Sequence, residues 1–182
     1  MYMNKLIAVV GMCGSGKSIA TNILEKKGWY KIYLGGITYQ LMKEAGIERT
    51  PTSEKEFRES LRKQNGLDYY VKLKLPEIKE ASKTKNVVID GLYSWEEYKY
   101  LKENLDNELK LICTITDKNI RYDRISKRPE RPFNLIQAEE RDLTELENLH
   151  KGNPVAYADY FIFNNGTLED YETRLEEILK QI

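Results

Sequence analysis

Residues 6–18 read LIAVVGMCGSGKS, five apolar residues that run directly into a loop rich in glycine. The loop has the form G-x-x-x-x-G-K-S, and an amphipathic stretch begins near Lys17. Glycines allow such a loop to curl so that successive backbone N–H groups point inward at phosphate oxygens, beside the N-terminus of the following helix. The order strand, glycine loop, helix distinguishes a phosphate-binding loop from a chance match in a glycine-rich turn.

This loop predicts a nucleotide site with bound Mg²⁺. We expect eight consecutive residues to contact the nucleotide: Gly11, Met12, Cys13, Gly14, Ser15, Gly16, Lys17 and Ser18. Lys17 would contact the β- and γ-phosphates as a catalytic group, and Ser18 would give Mg²⁺ an oxygen ligand. ATP and Mg²⁺ are the expected cofactors, and the sequence leaves the choice between ATP and GTP open. At Cys13 a small side chain facing the protein is favoured over a reactive thiol.

Short apolar runs recur along the chain and predict buried strands. Each is rich in β-branched residues and lacks helical spacing, which is typical of strands buried on both faces of a parallel sheet. The runs are Leu6–Val10, Val87–Ile89, Leu109–Ile115 and Tyr160–Phe163, with a weaker candidate at Trp29–Leu34. Helical stretches lie between them, so the sequence predicts an α/β sandwich in a single domain over residues 1–182. A long insert, residues 36–85, is expected to form two or three helices that carry part of the site.

The composition bounds the function. The chain has 182 residues, with 29 Lys plus Arg against 29 Asp plus Glu, and this balance argues against a nucleic-acid partner or a membrane surface. Two cysteines about a hundred residues apart indicate neither a disulfide framework nor a cysteine-rich zinc site. The apolar run at the N-terminus is too short for a signal peptide or a membrane span. A cytoplasmic protein, monomeric or homodimeric, with a small-molecule partner is therefore expected.

Acidic and basic groups are expected beside the phosphate loop. Asp90 ends the third predicted strand, where a carboxylate can hold Mg²⁺ or accept a proton, although a turn residue is the alternative. A basic segment follows the fourth strand: Arg121, Arg124, Arg128 and Arg131. The first three have helical spacing and are expected on one face of a helix, and a loop bearing Arg131 could close over the nucleotide. The alternative is a solvated basic face paired with nearby glutamates.

Local signals mark several helix starts and one turn. Ser94 with Glu97 and Ser53 with Glu56 have capping-box spacing. The last strand runs into Asn164, Asn165 and Gly166, which suit left-handed turn positions, and Thr167 is expected to cap the C-terminal helix. This turn could read an adenine edge as part of the cofactor site, and a plain strand-to-helix turn explains the same residues equally well.

Together, four segments carry a resemblance to a known superfamily: GMCGSGKS at 11–18, VVIDG at 87–91, RYDRISKRPERP at 121–132 and ADYFIFNNGTLED at 158–170. The chain resembles the dephospho-CoA-kinase-like branch of the P-loop nucleoside monophosphate kinase superfamily over nearly its whole length. The resemblance implies a five-stranded parallel sheet of order 2-3-1-4-5, a helical substrate-binding insert and an arginine-bearing lid over residues 121–141. It also implies ATP-dependent phosphoryl transfer to a nucleotide-like acceptor, with Arg121 and the 164–166 turn on the nucleotide and Arg124 and Arg128 in catalysis.

Two positions depart from this family's pattern. Such kinases usually carry an acceptor-binding arginine after the second strand and another in a DG-x-x-R segment, where this chain has Tyr39 and Tyr93. A tyrosine can stack on a ring or donate one hydrogen bond, but it cannot form a bidentate fork with phosphate. Arg58 and Arg62, one helical turn apart in the insert, are candidates to replace the missing arginines. The departure also leaves a second hypothesis open, a nucleotide-binding switch or sensor with little kinase turnover.

Overall fold

The structure, a computed structural model, describes residues 4–129 and 132–182. Its strands are β1 (Leu6–Val10), β2 (Tyr30–Tyr33), β3 (Val87–Asp90), β4 (Leu109–Ile115) and β5 (Tyr160–Phe163). Its helices are α1 (Lys17–Lys26), α2 (Gly36–Glu44), α3 (Pro51–Asn65), α4 (Tyr69–Ser82), α5 (Trp95–Asn104), α6 (Lys118–Ser126), α7 (Leu135–Glu147), α8 (Gly152–Ala156) and α9 (Leu168–Gln181). The five strands confirm those predicted from the apolar runs, to within one residue at every end.

The strands form one parallel sheet in the order β2-β3-β1-β4-β5. Both the α/β class and this order are confirmed. The register places Val9 and Tyr33 directly beside Asp90 on the neighbouring strands. Because the carboxyl ends of parallel strands meet at one edge, the loop after β1, the end of β2 and Asp90 come together.

The sheet lies between two helical layers. Leu6, Ala8 and Val10 of β1 point to one face, where α2, α4 and α5 cover them, whereas Ile7 and Val9 point to the other face, against α1 and α9. All five side chains are at most 1 % exposed. Burial on both faces is the reason for the unbroken apolar runs that revealed the strands.

The insert, residues 36–85, holds the three helices α2, α3 and α4. Tyr70, Val71 and Ile78 of α4 join the core beneath the sheet, so the insert is packed against the domain rather than loosely attached. The predicted start of α3 at Ser53 was wrong. The capping box is formed by Thr50 and Ser53, because Pro51, with its fixed φ, is suited to the first helical position.

Other local predictions had mixed outcomes. The capping boxes of α5, with Ser94, and of α9, with Thr167, are confirmed. The prediction that Arg128 shares a helical face with Arg121 and Arg124 was wrong, because α6 ends at Ser126 ahead of Pro129. Neither Asn164 nor Asn165 has a positive φ, so the expected left-handed turn was wrong as well.

Two further expectations concern Arg131 and membrane-spanning helices. Arg131 lies outside the described residues. Within 4–129 and 132–182, none of the helices combines the length and the apolar character that crossing a membrane requires.

Candidate active site

The phosphate-binding loop has the backbone conformation that its glycines allow. Gly14 and Gly16 have φ values of 82° and 99°, which side-chain-bearing residues rarely adopt. A Cβ at Gly14 would lie 2.9 Å from the Arg121 carbonyl oxygen, and one at Gly16 would meet the Asn164 side chain. Both glycines are therefore required by φ and by close packing.

The loop is braced from the far end of the chain. Asn164, which is 4 % exposed, donates from Nδ2 to the Ser15 carbonyl oxygen over 2.8 Å. The Thr116 hydroxyl donates to the same oxygen over 3.0 Å, and the Tyr171 hydroxyl donates to the Gly16 carbonyl over 3.3 Å. Asn164 thus fixes the loop from beneath. Asn165 accepts from the Asp117 backbone N–H over 3.0 Å.

Lys17 and Ser18 begin α1 at the mouth of the loop. The Lys17 ammonium donates to the carbonyl oxygens of Gly11, over 2.8 Å, and Met12, over 3.0 Å. The ammonium is therefore held above the loop, at the place where phosphate oxygens would lie against the backbone amides. Both Lys17 and Ser18 line a large cleft.

Asp90 lies beside this loop, as the end of β3 requires. Its Oδ2 atom accepts from the Thr21 hydroxyl over 2.9 Å and lies 3.5 Å from the Lys31 ammonium. Lys31, on β2, also donates to the Asn22 side chain over 2.6 Å. The carboxylate is thus oriented by α1 and partly neutralised by β2. Lys31 could not be predicted as a site residue, because its partner belongs to a neighbouring strand.

The predicted basic segment divides into residues with different surroundings. Arg121 is 6 % exposed, forms a two-bond pair with Asp142 (2.9 and 2.6 Å) and donates to the Cys13 carbonyl over 2.9 Å. Its guanidinium ties the phosphate loop to α7. Arg128 Nη1 lies 3.8 Å from the Cys13 sulfur and lines the cleft, whereas Arg121 and Arg124 do not. The buried Nη1 of Arg124 has no hydrogen-bond partner among the described residues.

A cleft of about 1170 Å³ joins the phosphate loop to the insert and to α7. Its lining includes the site residues Cys13, Gly14, Gly16, Lys17, Ser18, Tyr39, Arg58, Arg62, Asp90, Tyr93 and Arg128. The structure therefore brings the predicted donor and acceptor residues into one cavity. The predicted cofactor residues Asn164, Asn165 and Gly166 are not part of this lining.

Guanidinium groups gather at the insert end of the cleft. Arg58 and Arg62 of α3 and Arg141 of α7 all line it. Burial lowers the pKa of Arg58, and the positive charges of Arg141 and Arg62 lower it further. Tyr70 and Tyr93 border the Arg62 guanidinium, with its Cζ 4.8 and 5.7 Å from the ring centres. The Arg49 guanidinium lies over the Tyr39 ring, with 3.7 Å between its Cζ and the ring centre.

Sequence reasoning missed a buried charge cluster on α7 and α8. Lys151 is fully buried, donates to Glu145 over 2.7 Å and lies 4.6 Å from the Tyr93 ring centre. Arg141 donates to the other Glu145 oxygen over 2.9 Å. The i,i+4 spacing of Arg141 and Glu145 was visible in the sequence, but the burial of Lys151 was not.

The charges of this cluster shift each other's titration. Burial alone would raise the pKa of Glu145, but Lys151, Arg141 and Lys17 together lower it to about 2. Burial lowers the pKa of Lys151 to about 8, against the opposing effect of its single carboxylate partner. Among the described residues, Glu145 has several cations around it and Lys151 has one anion, which is why both pKa values fall. The influence of Lys17 links the cluster to the phosphate loop.

Comparison with known proteins assigns the family. An AAA-domain family model matches residues 7–147. A UPF0200 protein of Thermococcus sibiricus is 32 % identical, with 97 % of this chain and 95 % of that protein covered. The chain belongs to the UPF0200 family. Another member, from Staphylothermus marinus, is 33 % identical, covering 97 % of this chain and 92 % of its own.

Solved structures share the fold of this UPF0200 chain. TT1252 from Thermus thermophilus matches with a TM-score of 0.70 at 15 % identity, over 100 % of this chain and 99 % of that one. Shikimate kinase from Bacteroides thetaiotaomicron gives 0.65 at 14 % identity, over 99 % and 98 %. Dephospho-CoA kinase from Campylobacter jejuni gives 0.57 at 17 % identity, also over 99 % and 98 %. The fold that the resemblance implied, that of P-loop kinases, is confirmed.

Proposed function

We propose that the protein is an ATP-dependent phosphotransferase that moves the γ-phosphoryl group to a small nucleotide-like acceptor. The observation that carries the proposal is the shared cleft: the phosphate loop opens into the same cavity as Arg58, Arg62 and Arg141. A cavity with a phosphate cradle at one end and three arginines at the other suits two phosphate-bearing ligands held in one orientation. In phosphoryl transfer such positioning and charge stabilisation account for most of the catalysis.

The predicted site residues have the following proposed roles. The loop amides and Lys17 would bind the β- and γ-phosphates, and Arg124 and Arg128 would stabilise charge during transfer. Arg128 already lines the cleft, whereas Arg124, with a buried Nη1 that has no partner among the described residues, would have to move to reach the nucleotide. Arg121, already paired with Asp142, would act through the loop that it holds. The adenine is proposed to lie near the turn of residues 164–166.

The residues present fit a Mg²⁺ ion that arrives with the nucleotide. No group of three or more His, Cys, Asp or Glu among the described residues could hold a metal. Mg²⁺ at such sites takes most of its ligands from phosphates and water, so one or two protein oxygens are enough. Ser18 and Asp90 are the proposed holders, and the ion would neutralise charge on the phosphates. Thr21 and Lys31 both contact Asp90 at its Oδ2 atom.

The test is acceptor-dependent release of ADP. Purified protein is incubated with MgATP and a panel of nucleoside monophosphates and dephospho-CoA, and ADP is measured with and without each acceptor. Lys17→Ala should lose phosphoryl transfer by orders of magnitude, because the γ-phosphate loses its cation. Lys26→Ala, at the exposed end of α1, is the matched control and should keep wild-type turnover. No acceptor-stimulated ADP release across the panel would contradict the proposal.

A second function, a nucleotide-dependent switch with little turnover, is favoured by one observation. Tyr39 and Tyr93 stand where acceptor-binding arginines are usual, and the ring of Tyr93 is covered by the Arg62 and Lys151 side chains. A switch would bind ATP or ADP tightly, show negligible acceptor stimulation and bind a partner protein in only one nucleotide state. A pull-down with the protein loaded with each nucleotide separates the two functions.

We also propose that the protein is cytoplasmic and that it is a monomer or a homodimer.

A further inference from the structure

Cations and carboxylates meet at the insert end of the cleft. The cations are Arg58, Arg62, Arg141 and Lys151, and their described carboxylate partners are Glu54, Glu97 and Glu145. Glu56, Glu59 and Glu140 also line the cleft, so its charge is close to balanced. A buried charged group whose hydrogen bonds are incomplete is costly unless a ligand or partner completes them. The contacts of each arginine, rather than the net charge, therefore indicate where an anion would bind.

Arg62 points to where the anion would bind. Its side chain is 6 % exposed, and its closest carboxylate oxygen, Glu97 Oε1, is 3.9 Å away, beyond hydrogen-bonding distance. Among the described residues, the buried Nε of Arg62 has no hydrogen-bond partner, and neither has Glu97 Oε1. A buried guanidinium N–H that donates to nothing costs about 1–3 kcal/mol, so Arg62 is incompletely satisfied. Arg62 lines the cleft, so its guanidinium borders the space that a ligand would occupy.

Arg58 and Arg141 complete a three-sided arrangement. Arg58 has only a loose contact with Glu54, 3.5 Å between Nη1 and Oε1. Arg141 reaches the same region from α7, and its Nε is fixed by Glu145, which Lys151 holds from behind. Arg58 of α3 and Arg141 of α7 line the same cleft, and the charge of Arg141 lowers the pKa of Arg58. Their guanidinium groups offer several donors to one multivalent anion.

We infer that Arg58, Arg62 and Arg141 form the binding site for a phosphomonoester dianion, and that this group is carried by the acceptor. As the acceptor's site, it rests on the proposed phosphotransferase function. A phosphomonoester matches the site better than a carboxylate does, because its three terminal oxygens can each accept from a different guanidinium. Arginines are then not needed at the positions of Tyr39 and Tyr93, because the phosphate is bound from α3 and α7 rather than from the ends of β2 and β3. Lys151 and Glu145 are positioning residues for Arg141.

The test measures binding without turnover. The protein is saturated with Mg²⁺ and a non-hydrolysable ATP analogue, which fills the phosphate loop, and titrated calorimetrically with nucleoside 5′-monophosphates, the parent nucleosides and inorganic phosphate. We expect at least one monophosphate to bind ten-fold or more tightly than its nucleoside, and inorganic phosphate to compete with it. Equal affinity of nucleoside and monophosphate overturns the inference, and so does the absence of binding by every phosphate-bearing probe.

Variants assign the binding to the three arginines. Arg58→Met and Arg62→Met should each weaken monophosphate binding about 10- to 100-fold, the range for charge-assisted hydrogen bonds, and Arg58→Lys should recover part of it. Arg174→Met, a half-exposed arginine on α9, is the matched control and should bind as the wild type. Arg58 is only loosely paired, so its replacement keeps the test valid if Arg62→Met does not fold. Unchanged monophosphate affinity in Arg58→Met overturns the inference.

The outcome is distinguishable from failure of the proposed function. If Arg58→Met loses monophosphate binding but wild-type protein transfers no phosphoryl group, the anion site stands and the kinase proposal fails. If Lys17→Ala abolishes transfer while Arg58→Met leaves monophosphate affinity unchanged, the kinase proposal stands and the anion site fails.

Discussion

Lys31 and Asp90 form an ion pair across neighbouring strands, with 3.5 Å between Nζ and Oδ2, at the point where Mg²⁺ is proposed to bind. Their side chains are 16 % and 11 % exposed, so the attraction is only partly screened by solvent. The ammonium therefore competes with the metal for the same carboxylate. The first prediction follows from this competition.

Lys31→Met should lower the Mg²⁺ concentration needed for half-maximal nucleotide binding by about five-fold, on the order of 1 kcal/mol for a partly buried pair. The measurement is a Mg²⁺ titration of fluorescent ATP-analogue binding. Asp90→Asn should move the midpoint in the opposite direction. An unchanged midpoint in both variants would show that Asp90 does not hold the metal.

A second prediction concerns the bracing of the phosphate loop by Arg121. Asp142→Asn should lower the free energy of unfolding by about 3 kcal/mol, because it leaves a buried guanidinium with one partner fewer. Urea unfolding measures this loss. The matched control is Glu177→Gln, which removes the half-exposed partner of Arg174 and should change stability by less than about 0.5 kcal/mol. Equal effects of the two variants would contradict the bracing role.

The third prediction concerns the conformation of the phosphate loop. Gly14→Ala places an alanine at a backbone φ of 82°, with a strain on the order of 1–3 kcal/mol. Its Cβ would also lie against the Arg121 carbonyl and the Ile125 side chain. We expect MgATP affinity to fall at least ten-fold. Gly28→Ala is informative as a control, since Gly28 also has a positive φ, 87°, but nothing lies within 4 Å of its Cβ position. That variant should lose some stability and keep nucleotide affinity.

A fourth prediction is a pH dependence set by Glu145. Its pKa is lowered from 4.5 to about 2 in the folded protein, so the unfolded chain binds its proton first as the pH falls. Its stabilising contribution is complete above pH 4.5 and is lost progressively between pH 4.5 and 2. Glu145→Gln should flatten that part of the stability curve, as followed by urea unfolding at several pH values. A wild-type slope in the variant would show that other carboxylates account for acid unfolding.

The sequence predicted those features that depend on burial or on residues close by in the chain, and it missed those that depend on distant residues. The strand Leu109–Ile115 was predicted to its ends because both of its faces are buried, and burial leaves an unbroken apolar run. Asp90 was predicted beside the phosphate loop because strand ends converge in a parallel sheet. Lys151, in the polar stretch HKGNP, gave no sign of being fully buried, since its partner Glu145 and the Tyr93 ring come from other turns of the chain.

The wrong prediction for Asn164 has the same cause, because its hydrogen-bond partner is distant in the sequence. Asn164 was expected to turn the backbone, but its side chain instead donates to Ser15, a contact that no local pattern reveals. Arg58 and Arg62 could be paired from their spacing alone. Arg141 could not be added to them, because only tertiary packing brings α7 beside α3.

The hydrogen bond from Asn164 to Ser15 spans 149 residues of chain, and it bears on how the protein is made. The GxxxxGKS segment leaves the ribosome first, whereas the asparagine that secures it follows the last strand of the sheet. A nascent chain that stops short of β5 therefore holds the full signature of a nucleotide binder without its finished cradle. The finished cradle requires that β5 has joined the sheet, so nucleotide binding would report that folding has reached this strand.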